Sequence, residues 1–190
     1  MTLASSSLVR RAAAAASAAA LFALLAPTTA RAEDGGRLTL FGHHYSVLAG
    51  VVMGVPRDAT TRAIYGQRTF VPMVTLWNFE TPRGLGLSWD LGGRRFSQGD
   101  RRAEYLQGGV GPRILFTGNH ADFAPYLAVR GDAYVLRLDQ ASWRTKPGAN
   151  VEVGASVMRH AVVSARYDLV PKIGGVDLSG FSARLAVKVF

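Results

Sequence analysis

The sequence predicts an all-β chain: an eight-stranded antiparallel transmembrane β-barrel preceded by a cleaved signal peptide. Three observations predict it. Apolar and polar residues alternate with period 2 over most of the chain after residue 32, so each strand has one face in an apolar medium and one in a polar medium. The N-terminus carries an export signal. The connections alternate long and short, the rhythm of a barrel with long loops at one end and tight turns at the other.

The export signal is Arg10-Arg11, an alanine- and leucine-rich run over 12–25 and the small-x-small pattern Ala30-Arg31-Ala32. It assigns residues 1–32 to a signal peptide and 33–190 to one barrel domain. The run is too short and too rich in alanine to span a bilayer, which takes ~20 strongly apolar residues. Losing Arg10, Arg11 and Arg31 from the 22 Lys and Arg leaves 19 against 13 acidic residues, a net +6. In an exported chain this surplus points away from nucleic acid, and toward outer-membrane lipid and lipopolysaccharide or toward arginines paired inside a barrel. The absence of cysteine excludes a disulfide framework, a thiol nucleophile and a lipid-modified N-terminal cysteine. No cofactor or metal is expected.

A polar, glycine-rich lead over 33–36 and the short apolar run Leu38-Thr39-Leu40-Phe41 precede the first long strand, 45–55, with Tyr45, Val47, Ala49, Val51 and Met53 on one face. Pro56 ends it, and 56–66 reads as a long polar loop. The second strand, 69–79, is apolar in both parities, so its inward face stays open. A tight turn over 80–84 leads to the clearest dyad repeat, Leu85, Leu87, Trp89 and Leu91 against Gly86, Ser88, Asp90 and Gly92. Residues 94–102 read as a second polar loop.

Strands 105–117 and 123–138 form a hairpin about the turn 118–122. Leu106, Val110, Ile114 and Phe116 oppose Gln107 and Arg113, while Leu127, Val129, Ala133 and Val135 oppose Tyr126, Arg130, Asp132 and Tyr134. A third loop is expected over 139–148. Two more alternating strands turn at Arg159-His160, a last loop covers 171–179, and the last strand is 181–190. Aromatic residues near strand ends, Trp77, Phe79, Phe96, Tyr105, Phe116, Phe123 and Tyr167, suit interface girdles.

If the apolar faces meet lipid, the lumen receives Asp90, Arg94, Arg113, Arg130, Asp132, Glu152, Arg166, Asp168, Arg184 and Lys188. An eight-stranded barrel is only wide enough for side chains to fill, and buried charges need partners. An interlocked ionic plug is therefore expected, with no open pore. Arg95, Arg101, Arg102, Trp143, Arg144 and Lys146, in the expected loops, are candidates for contact with lipopolysaccharide phosphates. The histidines His43, His44, His120 and His160 are each expected near a short-turn end, as ordinary polar turn residues.

Across the mature chain, the block Gly108-Gly109-Val110-Gly111-Pro112-Arg113, the run Ala124-Pro125-Tyr126-Leu127 and a last strand ending in Phe190 resemble the bacterial outer-membrane β-barrel domain of the OmpA/OmpX type. The resemblance implies an outer-membrane location, a structural or surface-interaction role, no enzymatic activity, a monomer, and delivery by the outer-membrane assembly machinery through Phe190. The sequence departs from that type in one respect: Phe181, Ala183, Leu185, Val187 and Val189 are out of phase with Phe190. Two other readings are open. His44-Tyr45-Ser46 resembles the His-x-Ser pair of outer-membrane lipid A deacylases, which would make the chain a lipid A-modifying hydrolase. A soluble periplasmic lipocalin-like barrel would instead fill its interior with the large apolar set.

Overall fold

The computed structural model describes residues 32–33, 37–40, 43–78, 84–117, 121–158 and 160–189. The expected signal peptide lies outside these apart from Ala32, as do Phe79, the turn residues 80–83 and 118–120, Arg159 and Phe190.

Two short strands, β1 (Ala32–Glu33) and β2 (Arg37–Leu40), pair antiparallel ahead of the barrel. The barrel itself is β3 (His43–Pro56), β4 (Thr69–Asn78), β5 (Leu85–Gln98), β6 (Arg101–Leu115), β7 (Phe123–Leu138), β8 (Arg144–Val157), β9 (Ala161–Leu169) and β10 (Gly180–Lys188). Each pairs antiparallel with its chain neighbours, and β3 pairs with both β4 and β10, which closes the eight strands on themselves.

Period-2 alternation sets the two faces. In β6, Leu106, Val110 and Ile114 are outward and exposed while Gln107 and Arg113 are buried. In β7, Val129 is outward while Tyr126, Arg130, Asp132 and Tyr134 are buried. The structure also resolves β4, where the sequence is apolar on both sides. Met73, Thr75 and Trp77 face inward, and Phe70 stands outside, 70% exposed. Tyr45, expected in the outward set of β3, is instead only 4% exposed; at that level β3 pairs with β2.

Two expected loops are strands. Residues 94–102 form no loop, since β5 runs to Gln98 and β6 starts at Arg101, with Gly99 in the left-handed region at φ 57° in the turn between them. Of 139–148 only 139–143 is a turn, and β8 resumes at Arg144. Their polar residues sit beyond the apolar outward band, where alternation of apolar with polar residues stops but the hydrogen-bonded ladder continues. Near the loop end, β4–β5 pairing stops at Met73↔Gly92 and β8–β9 pairing at Ala149↔Leu169. Strands β5 to β8 therefore extend past their neighbours as a four-stranded tongue.

The expected loop 56–66 contains a helix, α1 (Ala59–Tyr65). Seven residues are too few for a 3.6-residue period to show in the sequence. Asp58 starts the helix, its carboxylate accepting from Thr61 N at 2.6 Å and Thr61 Oγ1 at 2.8 Å. Tyr65 of α1, together with Val170, Ile173 and Leu178 of the last loop, packs against Phe96, Ala103, Tyr105, Tyr134 and Leu136 of the tongue.

Three of the expected girdle aromatics are therefore misassigned. Trp77, Phe96 and Tyr105 are each 1% exposed and fill the interior, whereas Phe116 and Phe123 stand outside at 65% and 62%. A small barrel needs bulky side chains within it wherever charges do not occupy the space.

The two hydrogen bonds from Thr61 hold the Asp58 carboxyl below its ordinary value. A lowered carboxylate pKa contributes stability that is present above the unfolded value of about 4 and lost as pH falls through the lower folded value. Asp58→Ala should lower amide protection factors over residues 61–65 at neutral pH while the barrel strands keep theirs. The wild-type helix should lose the same protection only on acidification below about pH 4; hydrogen exchange reads both.

Candidate functional site: the charged lumen

The inward positions at the middle of five strands, β5 and β7 to β10, carry ionised side chains, because each polar parity places one or two there. Their charges meet in one chain of ion pairs. Arg94 Nη2 lies 2.5 Å from Asp168 Oδ2, and Arg166 bridges Asp168 at 2.5 Å and Asp90 at 2.7 Å. Asp90 is 3.1 Å from Arg130, which is 2.7 Å from Glu152, and Glu152 is 2.5 Å from Arg184. All of these side chains are 3% exposed or less.

Neutral groups complete the belt. Tyr126 donates to Glu152 at 2.5 Å and accepts from Arg184 at 3.0 Å, which also donates to Thr75 at 2.7 Å. Arg130 donates to Ser88 at 2.7 Å and to Asn150 Oδ1 at 2.9 Å. The Asn150 amide in turn donates to Asp132 at 2.5 Å, and the Tyr134 hydroxyl approaches the same carboxylate at 3.3 Å. Arg113 lies over Trp77, 4.3 Å from the ring centroid, and donates to the Asn78 carbonyl at 3.0 Å. Lys188, at the opposite end of its strand from the loops, is only partly buried.

The belt needs room across a narrow barrel, and glycines supply it. A Cβ on Gly54 would come within 2.5 Å of Arg94 Nη1, and one on Gly154 within 2.8 Å of the Tyr126 hydroxyl.

The lumen has a second ingredient that the sequence reading missed. Apolar layers lie at both ends of the belt: the cluster of Tyr65, Phe96, Tyr105, Tyr134 and Leu136 toward the loops, and Leu48, Trp77, Leu115, Tyr126, Val162 and Ala186 toward the short turns. The signal was present, since Phe96, Tyr105, Leu115, Leu136 and Val162 are apolar residues in the polar parity near strand ends.

Of the residues proposed for lipopolysaccharide contact, Arg95 and Arg102 are outward on the tongue, and Trp143 lies beside Arg137, whose guanidinium is 4.5 Å from its ring centroid. Arg144 and Lys146 pair in register with Leu136 and Tyr134, on the opposite face. Arg101 is held by Asp139 at 3.1 Å and the Tyr65 hydroxyl at 3.2 Å. Ser46 faces the lumen, 1% exposed, so no ester in the medium around the barrel can reach its hydroxyl.

Comparison with solved structures places this geometry. Neisserial surface protein A (NspA) superimposes with a TM-score of 0.57 at 17% identity, over 76% of this chain and 96% of that one. The outer membrane protein OprG of Pseudomonas aeruginosa superimposes with a TM-score of 0.56 at 9% identity, over 76% and 94%. The fold is that of the small eight-stranded outer-membrane barrels. No protein-family model matches the sequence, and no curated protein matches it.

In a barrel of this type the belt is a buried network that no water reaches cheaply, so removing one partner leaves the others uncompensated. Glu152→Ala strips the shared carboxylate from Arg130 and Arg184 and should destabilise the barrel by about 3–5 kcal/mol, read as the shift in urea midpoint in detergent micelles. An unchanged midpoint would mean that the two guanidiniums find other acceptors.

Proposed function

We propose that this chain is an exported outer-membrane barrel with a structural or surface-interaction role and a lumen closed to solutes. One observation carries the reading: among the described residues, the outward positions of β3 to β10 below the tongue form an uncharged band, while the inward positions at the same level hold charges. Along β6 and the residue after it, the band runs from Leu106 to Phe116, ten residue steps, or about 33 Å of strand at ~3.3 Å per residue and about 25 Å along the normal at the usual tilt. That matches the hydrocarbon layer such barrels cross. Phe70, Tyr167 and Phe181 near one edge of the band and Phe116 and Phe123 near the other suit the two interfacial girdles.

A soluble lipocalin-like barrel would invert this distribution, placing ionised groups outside and a large apolar set within. Ester hydrolysis is disfavoured by the burial of Ser46. Within the uncharged band each of β3 to β10 is paired on both sides, so no strand edge faces lipid there and a monomer suffices. The belt and its two apolar layers leave paired side chains where a pore would run, and the long-loop end is assigned to the cell exterior as in other barrels of this class. Phe190 is the proposed signal to the assembly machinery.

In membrane fractions the protein should resist sarkosyl extraction and change electrophoretic mobility on boiling, and in planar bilayers it should show no conductance steps. A soluble, non-shifting band would remove the reading. Val129, at mid-band on β7, offers a graded test. Val129→Arg should cost about 2–4 kcal/mol of folding free energy in lipid vesicles, against little for the same change at an outward position beyond the band, such as Ser97.

A further inference from the structure

The outward face of the tongue carries one row of side chains with a composition unlike the band beneath it. Arg95 of β5, Glu104 of β6 and Arg137 of β7 stand in direct cross-strand register. Glu104 joins the two arginines: Arg95 Nε lies 3.3 Å from its Oε1, and Arg137 Nε donates to its Oε2 at 3.2 Å. The carboxylate is largely covered, 17% exposed, while the Arg95 and Arg137 side chains are 49% and 35% exposed. Arg102, two residues from Glu104 on the same face, adds a third guanidinium. Three positive groups and one carboxylate leave a local charge of +2, the neighbouring Arg101–Asp139 pair being neutral.

The height of the row decides what it meets. Two residues down each strand the outward register is Gly93↔Leu106↔Val135, the uppermost row of the uncharged band. Headgroups of the surrounding leaflet therefore lie at the level of Arg95 and Arg137. Trp143, 39% exposed against Arg137, has the amphipathic ring suited to that boundary. Glu104 fixes both guanidiniums before any ligand arrives, which lowers the ordering cost of binding, and their remaining N–H groups can grip phosphate oxygens in fork geometry.

We infer that Arg95, Arg102 and Arg137, set by Glu104 and flanked by Trp143, form a binding site for the phosphomonoester headgroup of a glycolipid in the surrounding leaflet. A phosphomonoester carries a charge of about −2 at neutral pH, which matches the +2 of the cluster. A lipid is favoured over a soluble polyanion because Arg95 and Arg137 stand in the outward row directly above the apolar band. The inference rests on the membrane reading above.

The test is native mass spectrometry of the folded barrel in detergent, titrated with lipid A, with enzymatically dephosphorylated lipid A and with phosphatidylglycerol. The wild type should retain lipid A and release the other two. R95Q/R137Q should lose about tenfold or more in lipid A affinity, while R144Q/K146Q, on the opposite face, should bind as the wild type does. Equal lipid A retention by R95Q/R137Q, or equal retention of dephosphorylated lipid A or phosphatidylglycerol by the wild type, would overturn the site. The boiling shift separates the two failures: a wild type that never shifts defeats the membrane reading, whereas a shifting R95Q/R137Q that still holds lipid A defeats only this inference.

Discussion

Everything in this structure depends on the ladder between β3 and β10. Nine register pairs, from Gly180↔Pro56 to Lys188↔Leu48, join the first barrel strand to the last. Without them two strand edges would present unpaired N–H and C=O groups to hydrocarbon, at several kcal/mol for each group left unsatisfied. Closure also fixes the direction of every side chain. Once the sheet is a tube, alternate residues have only the lumen or the surroundings to face.

That restriction gives the ionic belt a role beyond stability. Buried ion pairs are weak stabilisers, because desolvation offsets much of their attraction. Their placement is a strong specifier of register. A slip of one residue along any of the charged strands would turn Arg130, Glu152, Arg166 or Arg184 into the hydrocarbon, where an arginine at mid-depth costs about 2–4 kcal/mol, and would strand its partners inside. The apolar layers at either end of the belt work in the same direction. Phe96, Tyr105 and Tyr134 toward the loops and Leu48 and Trp77 toward the turns keep water away from the pairs, which strengthens each attraction. Gly54 belongs to the same design, since its missing side chain is the space that Arg94 crosses to reach Asp168.

Much of this was legible in the sequence wherever one face of a strand meets lipid. Leu106, Val110 and Ile114 against Gln107 and Arg113 leave little choice of orientation, and the same holds for Val129 against Arg130. Legibility ended where the surroundings changed. At Arg95, Ser97 and Arg102 the outward face has left the hydrocarbon, so strand residues take the composition of a loop although β5 and β6 remain fully paired. The helix α1 was too short to show its period, and its one local sign, Asp58 three residues before Thr61, is common in turns as well. Trp77 was ambiguous for a different reason. In β4 both parities are apolar, and only the contacts of the lumen, Trp77 against Tyr126 at 5.0 Å and Arg113 over its ring, separate a packing aromatic from an interfacial one.

The division of charge along the barrel follows from these constraints. The band excludes charge, and the lumen requires near-neutrality, holding Arg94, Arg113, Arg130, Arg166 and Arg184 against Asp90, Asp132, Glu152 and Asp168. A surplus of cations therefore has only the ends to occupy. At the long-loop end the described residues include ten lysines and arginines and five acids, so the surplus concentrates there. Part of it is spent internally, as where Arg101 ties α1 to the turn at Asp139. Of the remainder, Arg95, Arg102, Arg137, Arg144 and Lys146 stand on paired strands and not on long free loops. Guanidiniums on paired strands keep their spacing, and a cationic surface of fixed spacing discriminates among anions by geometry as well as by charge.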